Sequence, residues 1–488
     1  MGRKIKVKNF LFGFILLLAA FFRFYHLDDY LEFLGDQGRD LIIVRRFLVQ
    51  GDLMFIGPQT SVGNMYLGPW YYYLIAPALR LANFSPLGPA ILIVFLSLFA
   101  VWLIWRVGQS WFGEKTALLA TLLMAFSPAV IYYSIFSWNP NIMPLLALLS
   151  GWFLWQIWQE QQYQKIPLLA FSLALVLNSH YLGLLLFPLA GVFWFLSLKK
   201  IWQSREKRKF FHFSLLALFL FLFLMSPLVL FDWKHNFINF NAFKQFFTVR
   251  QTTVNLKFYK GLVKLPLVFN QLYAQLLLRR DFWFPAYFVF PLLLLTGWRA
   301  RKNKAVWLLF LWLLIGLLGL ANYKQHLYAH YYGFLWPAAL LLLALALSSL
   351  NLMTWPLLAY FLYLMITNWH GWQRPNYQLK RAQLIARVIC QKAQEKNLNH
   401  YNIVNLASYN DFRALAYRYF LLKDCSLIPQ SEDQYPQSKN LFIIWEDPSK
   451  YPQPLEVDVW EIQSNAPWQI EESFSVFDTQ VLYLRKSD

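Results

Sequence analysis

Long apolar runs recur along the first 369 residues, near 9–25, 86–105, 117–136, 142–158, 166–179, 182–198, 211–231, 283–298, 305–321, 331–350 and 353–369. A helix crossing a bilayer needs about 20 predominantly apolar residues, so each run reads as a span. The run at 166–179 is short because the polar break Asn178-Ser179-His180 ends it. The eleven runs predict a polytopic α-helical membrane protein. Composition agrees: 58% of residues are hydrophobic and only 14% charged, against about 25% charged in a soluble domain. One water-facing core cannot hide that much apolar surface. Met1–Lys8 is basic and leads into the first run, as in a signal peptide, but Arg23-Phe24-Tyr25-His26 follows instead of a small-residue cleavage site. The segment therefore reads as a retained span.

The formal charge of +19 does not point to nucleic acid. The basic residues sit in short loops between apolar runs, with no basic stripe on a polar domain. Placing the N-terminus in the cytoplasm puts Arg3/Lys4/Lys6/Lys8, Arg106/Lys115, Lys199-Lys200 with Arg205 and Lys207-Arg208-Lys209, and Arg299/Arg301/Lys302/Lys304 on one side. Lys and Arg in short loops mark the cytoplasmic side. The predicted location is the plasma (inner) membrane, with segments 26–85, 232–282 and the tail from 370 outside. Residues 1–369 form the predicted transmembrane module and 370–488 an extracytoplasmic domain.

The tail is polar and reads as a small α/β accessory domain. A helix is expected over 378–396 and another over 412–422, capped by Asp411. Strands are expected at Tyr401–Ala407, Leu441–Trp445 and Val481–Arg485. It carries no nucleophile elbow, P-loop or GxGxxG fingerprint, so packing, acceptor docking or a lid suits it better than catalysis. The chain's two cysteines, Cys390 and Cys425, lie in this region. A disulfide is open to them outside the cell, as is the common state of free buried cysteines.

The first external segment is dense in acid: Asp28, Asp29, Glu32, Asp36, Asp40 and Asp52. Asp36 and Asp40 are four apart and share a helix face, with Arg39 at i+3 from Asp36. Leu41, Ile42, Val44, Phe47 and Leu48 form another side, so 36–49 is expected to lie flat at the interface with that side in lipid. Asp28, Asp29 and Asp52 read as residues that keep a loop wet. Asp36, between Gly35 and a partly apolar helix, suits a general base. Further on, Gly57-Pro58-Gln59-Thr60-Ser61 and Tyr66-Leu67-Gly68-Pro69-Trp70-Tyr71-Tyr72-Tyr73 combine sharp turns with an aromatic run whose simplest role is interfacial anchoring.

A basic N-terminus, one span, Phe33-Leu34-Gly35-Asp36-Gln37-Gly38-Arg39-Asp40 and then Gly-Pro-Trp-Tyr-Tyr-Tyr together resemble the bacterial relatives of protein O-mannosyltransferases and lipid A aminoarabinose transferases, which share the GT-C fold. The resemblance extends over the whole layout. It implies transfer of a sugar from a polyprenyl phosphate on the outer face, with an essential Asp in this loop, matched here by Asp36. The family often has Asp-Glu; Gln37 replaces the Glu, leaving open whether Glu32 or Asp40 takes its role. The turn Ser137-Trp138-Asn139-Pro140-Asn141 is similar to a Trp-Asn-Pro turn of those relatives.

Such a transferase needs a base, cationic groups for the departing phosphate and a lipid groove. The base is Asp36, supported by Asp40 or Glu32. The phosphate candidates are Arg39, Lys324, His326, His330, Arg279 and Arg280. His326 and His330 also have the i, i+4 spacing of a metal pair, but no third ligand lies near in sequence, which favours phosphate over zinc. The substrate-binding candidates are Trp138, Asn139, Asn141, Asn178, His180 and Tyr71. The 232–282 segment, with Lys234, His235, Arg250, Lys257, Lys260 and Lys264, reads as amphipathic surface helices that attract anionic lipid. The partners expected are a polyprenyl-phosphate sugar, a protein, lipid or glycan acceptor, and membrane lipid. No cofactor is required by this chemistry, and a divalent metal is left open. The competing class is a transporter or flippase of lipid-linked sugars, which would carry ionisable groups near the midplane and inverted repeats.

Overall fold

The computed structural model describes residues 2–60, 65–202, 206–248, 253–255 and 257–486. Ser61 of the Gly-Pro turn, Arg205 of the basic run and Arg250 of the second external segment lie outside the described residues, as do the side chains of Arg3, Lys4, Lys6 and Lys8. The chain forms two compact units. A helical unit comprises Met1–Tyr25, Leu53–Leu74 and Ile91–Arg374, and a sheet unit comprises His26–Asp52, Ile75–Ala90 and Pro375–Asp488.

Six described helical segments are long and apolar enough to cross a membrane: Leu87–Phe112, Asn139–Trp158, Tyr181–Ile201, Lys207–Lys234, Tyr259–Leu278 and Lys304–Ala321. Shorter apolar helices are Phe10–Phe24, Tyr287–Arg299, Trp336–Ser348 and Asn351–Thr367. The run read as one span over 117–136 is instead two helices, Glu114–Phe126 and Pro128–Tyr132. Pro128 has no N–H to continue the ladder. Ser127 at the break donates to the Leu276 carbonyl at 2.7 Å, which satisfies the hydroxyl inside the protein. Irregular backbone at membrane depth is tolerated only where protein surrounds it. The chain then runs on through Tyr133–Trp138 without regular helix.

The segment 232–282, read as an external loop, contains Ile238–Thr248 and the buried helix Leu265–Leu278. Leu272, Tyr273, Ala274, Leu276 and Leu277 have no solvent exposure. Polar residues interrupt its apolar pattern and hide it in the sequence, and they are satisfied by protein. Asn270 donates to the Phe282 carbonyl at 2.8 Å, and Gln271 accepts from the Tyr332 hydroxyl at 2.8 Å. The aromatic run does more than anchor: Tyr71 and Tyr72 are 2% and 1% exposed, core residues rather than an interfacial belt.

The sheet unit holds four strands, β1 (Tyr401–Leu406), β2 (Asn440–Trp445), β3 (Trp468–Val476) and β4 (Thr479–Lys486), in the order β1-β2-β4-β3. β1 and β2 are parallel, joined by a crossover that includes helix Leu415–Asp424; β4 is antiparallel to both its neighbours. β1 is buried throughout, including its two asparagines, Asn402 and Asn405. β3 is an edge strand with exposed polar positions, which is why its sequence gives no strand signal. The core is built on Val404, Leu406, Leu441, Ile443 and Leu484. Helix Gln378–Glu395 lies where the sequence suggested. Cys390 on it is bonded to Cys425, with Cα atoms 5.7 Å apart.

In the same unit, helix Gly35–Gln50 packs on Leu415–Asp424. A Cβ on Gly38 would collide with the backbone of Leu415 and Ala416, so only glycine allows this crossing. The apolar side expected to face lipid is therefore partly covered by protein: Leu41 and Val44 are buried. Asp28 and Asp29 are not simply wet loop residues, since both pair with Lys380.

Candidate functional site

In the sheet unit, helix Gly35–Gln50 begins after an extended stretch. Gln37 is buried and its Oε1 accepts from the Leu34 amide at 2.9 Å. It thus caps the helix at N3, a role that glutamine fills as well as glutamate. Capping fixes the first turn and with it Asp36, whose side chain remains 49% exposed. Arg39 Nη1 donates to Asp36 Oδ1 at 2.8 Å. Its Nε and Nη2 donate to Asp40 Oδ1 at 3.0 and 2.8 Å. Asp40 is 2% exposed. The guanidinium is thus held between two carboxylates, which removes Arg39 from the phosphate candidates and makes it the group that orients Asp36. Asp40 is committed to Arg39. Glu32 lies half-buried in the extended stretch before the helix.

Asp411 joins these acids, a placement the sequence did not suggest. It does not cap a helix at 412, since the helix starts at Leu415, but its Oδ2 accepts from the Leu415 amide at 3.0 Å. A Cβ on Gly35 would lie 2.6 Å from its Cγ, so its carboxyl rests against the residue before Asp36. Burial raises the Asp411 carboxyl to about 7, and the charges of Glu446 and Asp36 push the same way, against the Leu415 and Ala416 amides.

In the helical unit, the break at Ser127-Pro128 leads into a strip of rings. Tyr132 packs on Tyr133 and Phe136, with centroids 5.1 and 5.5 Å away. Phe136 stacks near Trp138 at 6.2 Å, and Trp138 meets His330 edge-on at 4.4 Å. His330 lies 5.9 Å from His180, and Tyr331 4.9 Å from it. Burial lowers His180 to about 4. Burial, and then His180, holds His330 well below its ordinary value. Both imidazoles are neutral at physiological pH. His180 Nδ1 accepts from the Leu182 amide at 3.1 Å, which leaves the proton on Nε2.

At the other end of the strip Arg279, in a left-handed turn after helix Leu265–Leu278, lays its guanidinium 3.5 Å from the Tyr132 ring centre. Among the described residues it forms no ion pair with a carboxylate. His370 faces Tyr132 at 6.4 Å. Burial lowers it to about 3, helped by Arg279 and Arg23. Tyr132 and His370 escaped the sequence reading. Their only signal was position, one after a Ser-Pro break and one just past the last span. Arg280 is exposed.

The remaining candidates are dispersed. Tyr71 Oη lies 2.6 Å from Ser137 Oγ, and Asn139 donates to the Ser179 carbonyl at 2.6 Å. Both brace the strip from behind. Asn141 donates to the Phe136 carbonyl at 2.9 Å. Asn178 is buried against Gly68 and donates to the Ala174 carbonyl at 2.7 Å. Its Oδ1 has no partner among the described residues. Lys324 is held by its backbone, which donates to the Thr253 carbonyl at 2.9 Å. His326 is exposed and packs on Tyr328. The i, i+4 pairing with His330 fails because residues 324–328 are not helical. Among the described residues no three His, Cys, Asp or Glu gather as a metal site would require.

Residues 67–231 match the family described as dolichyl-phosphate-mannose-protein mannosyltransferase. No curated protein matches the chain in sequence. The fold is similar to that of ArnT from Cupriavidus metallidurans bound to undecaprenyl phosphate, at TM-score 0.63 and 12% identity over 98% of this chain and 97% of that one. It is also similar to the archaeal oligosaccharyltransferase AglB from Archaeoglobus fulgidus, in complex with an inhibitory peptide and a dolichol-phosphate, at TM-score 0.54 and 12% identity over 90% and 70%. The chain thus has the fold of these two membrane transferases, and about a third of it matches the mannosyltransferase family.

Proposed function

We propose that the chain moves a sugar from a polyprenyl-phosphate-linked donor to an acceptor hydroxyl on the outer face of the plasma (inner) membrane, with inversion. The observation that carries this reading is Arg279: a guanidinium on the Tyr132 ring with no carboxylate partner among the described residues. An arginine fork left unpaired in a mostly apolar setting is suited to a phosphate oxyanion. The aromatic strip offers ring faces and neutral N–H groups, which suit sugar hydroxyls better than charge would.

In this account Asp36 takes the acceptor hydroxyl's proton. The oxygen attacks the anomeric carbon while the bond to the phosphate oxygen breaks, and polyprenyl phosphate leaves with the electron pair. Positive charge develops on the sugar ring as in glycoside hydrolysis. Arg279, with Lys324 and Arg280 as further candidates, offsets the charge on the leaving phosphate. Arg39 keeps Asp36 aimed. Trp138, His180 and His330 contact the sugar. The N-terminus is cytoplasmic and the sheet domain external, a placement supported by the Cys390–Cys425 bond, since disulfides persist in oxidising compartments.

The test is release of polyprenyl phosphate when purified protein meets a polyprenyl-phosphate sugar and a hydroxyl acceptor. Transfer predicts stoichiometric release with glycosylated acceptor. A transporter of lipid-linked sugars would move the donor across a vesicle and release none.

A further inference from the structure

Helices Met143–Trp158 and Lys304–Ala321 have one end each near the ring strip, at Asn139–Ile142 and at Asn322–Lys324. Their other ends meet about 24 Å away, at about 1.5 Å per residue. There an open groove of about 540 Å³ is lined by Trp158, Phe193, Leu196, Trp307, Leu311 and Leu314, with Lys304 at its rim. This is the end that the charge pattern assigns to the cytoplasm.

Two ammonium groups are anchored on consecutive residues at this mouth. Lys200 Nζ donates to the Trp158 carbonyl at 2.8 Å, and Lys304 Nζ donates to Gln159 Oε1 at 3.0 Å. Both acceptors are neutral, and among the described residues neither lysine forms an ion pair with a carboxylate. Glu160, next to Gln159 in sequence, accepts from Gln162. Gln159 Nε2 is buried and has no partner among the described residues. Two like charges and an unused amide donor thus sit together over an apolar trough.

We propose that this groove binds an anionic glycerophospholipid of the membrane, its phosphate between Lys200 and Lys304 and an acyl chain along Trp158, Phe193 and Leu311. Charge complementarity selects the occupant. A zwitterionic lipid would bring its own cation toward two ammoniums, and inorganic phosphate would leave the trough unused. The site is separate from Arg279, which lies near the opposite ends of these helices.

The full-length protein in detergent micelles tests this, with its melting temperature followed during titration with dioleoylphosphatidylglycerol, dioleoylphosphatidylcholine or inorganic phosphate. The glycerol lipid should raise the midpoint, while the choline lipid and phosphate should not. Lys200→Gln with Lys304→Gln should weaken the apparent affinity at least about tenfold. Lys200→Arg with Lys304→Arg should keep it, which separates lost charge from lost folding. An equal response to the choline lipid or to phosphate, or an unchanged response in the double glutamine variant, would overturn the proposal.

Discussion

In the sheet unit, each of these cations is paired with acids: Arg39 lies between Asp36 and Asp40, and Lys380 answers Asp28 and Asp29. In the helical unit the ring strip is held without charge, its imidazoles neutral, and Arg279 has a ring beneath it instead of an acid. The first region is self-sufficient and can supply a positioned base. In the second, Arg279 has no carboxylate partner among the described residues, and in this account the donor phosphate supplies the anion. The comparison also separates two uses of arginine. In the proposed account Arg39 orients a neighbouring carboxylate, whereas Arg279 meets the donor phosphate.

Three tests would break or sharpen that contrast. The largest effect is expected from Gly38→Leu, whose side chain points into the backbone of Leu415 and Ala416. Loss of about 3 kcal/mol is expected by overpacking, read as a lower melting temperature. Gly13→Leu, where a Cβ meets nothing within 4 Å, should change stability by less than about 0.5 kcal/mol. Equal effects would show that the crossing is not tight.

Next is Arg279→Gln, expected to lower kcat/KM for the polyprenyl-phosphate donor about a hundredfold, or about 2.7 kcal/mol. Most of that loss should appear as weaker donor binding. Arg39→Gln should instead lower kcat and leave donor affinity nearly unchanged. The reverse pattern in steady-state kinetics would exchange the roles assigned to the two arginines.

The smallest effect concerns Asp411. Its folded value lies near 7, above the ordinary 3.8. The folded state therefore binds the proton more tightly than the unfolded one. The stability contributed by that bound proton is fully present below about pH 4 and is lost as pH rises through about 7. Asp411→Asn keeps an acceptor for the Leu415 amide and should flatten the change of melting temperature across that window. An unaltered pH profile would mean that the group is not buried as described.

Much of the fold was legible because apolar runs and basic loops are local signals. The ends of Lys304–Ala321 and Gln378–Glu395 fall close to where pattern alone puts them. Helix Leu265–Leu278 was hidden because Asn270, Gln271 and Gln275 break its hydropathy, although tertiary partners satisfy at least the first two. β3 was hidden because an edge strand needs no apolar alternation. In the candidate site, the i+3 spacing of Asp36 and Arg39 was enough to pair them. Nothing local could show that Gly35 and Gly38 are glycines for the sake of Asp411 and Leu415, more than 370 residues away in sequence. Nor could spacing reveal that His330 pairs with Trp138 rather than His326, because that depends on where an irregular turn folds back.

The central claim is that Asp36 is the base of a transfer from lipid phosphate. It is tested most directly by Asp36→Asn, purified and given the donor and acceptor that the unaltered protein uses. The account predicts polyprenyl phosphate release below about a thousandth of the unaltered rate, with donor affinity and melting temperature unchanged. Release within about tenfold of the unaltered rate, from equally folded protein, would contradict it.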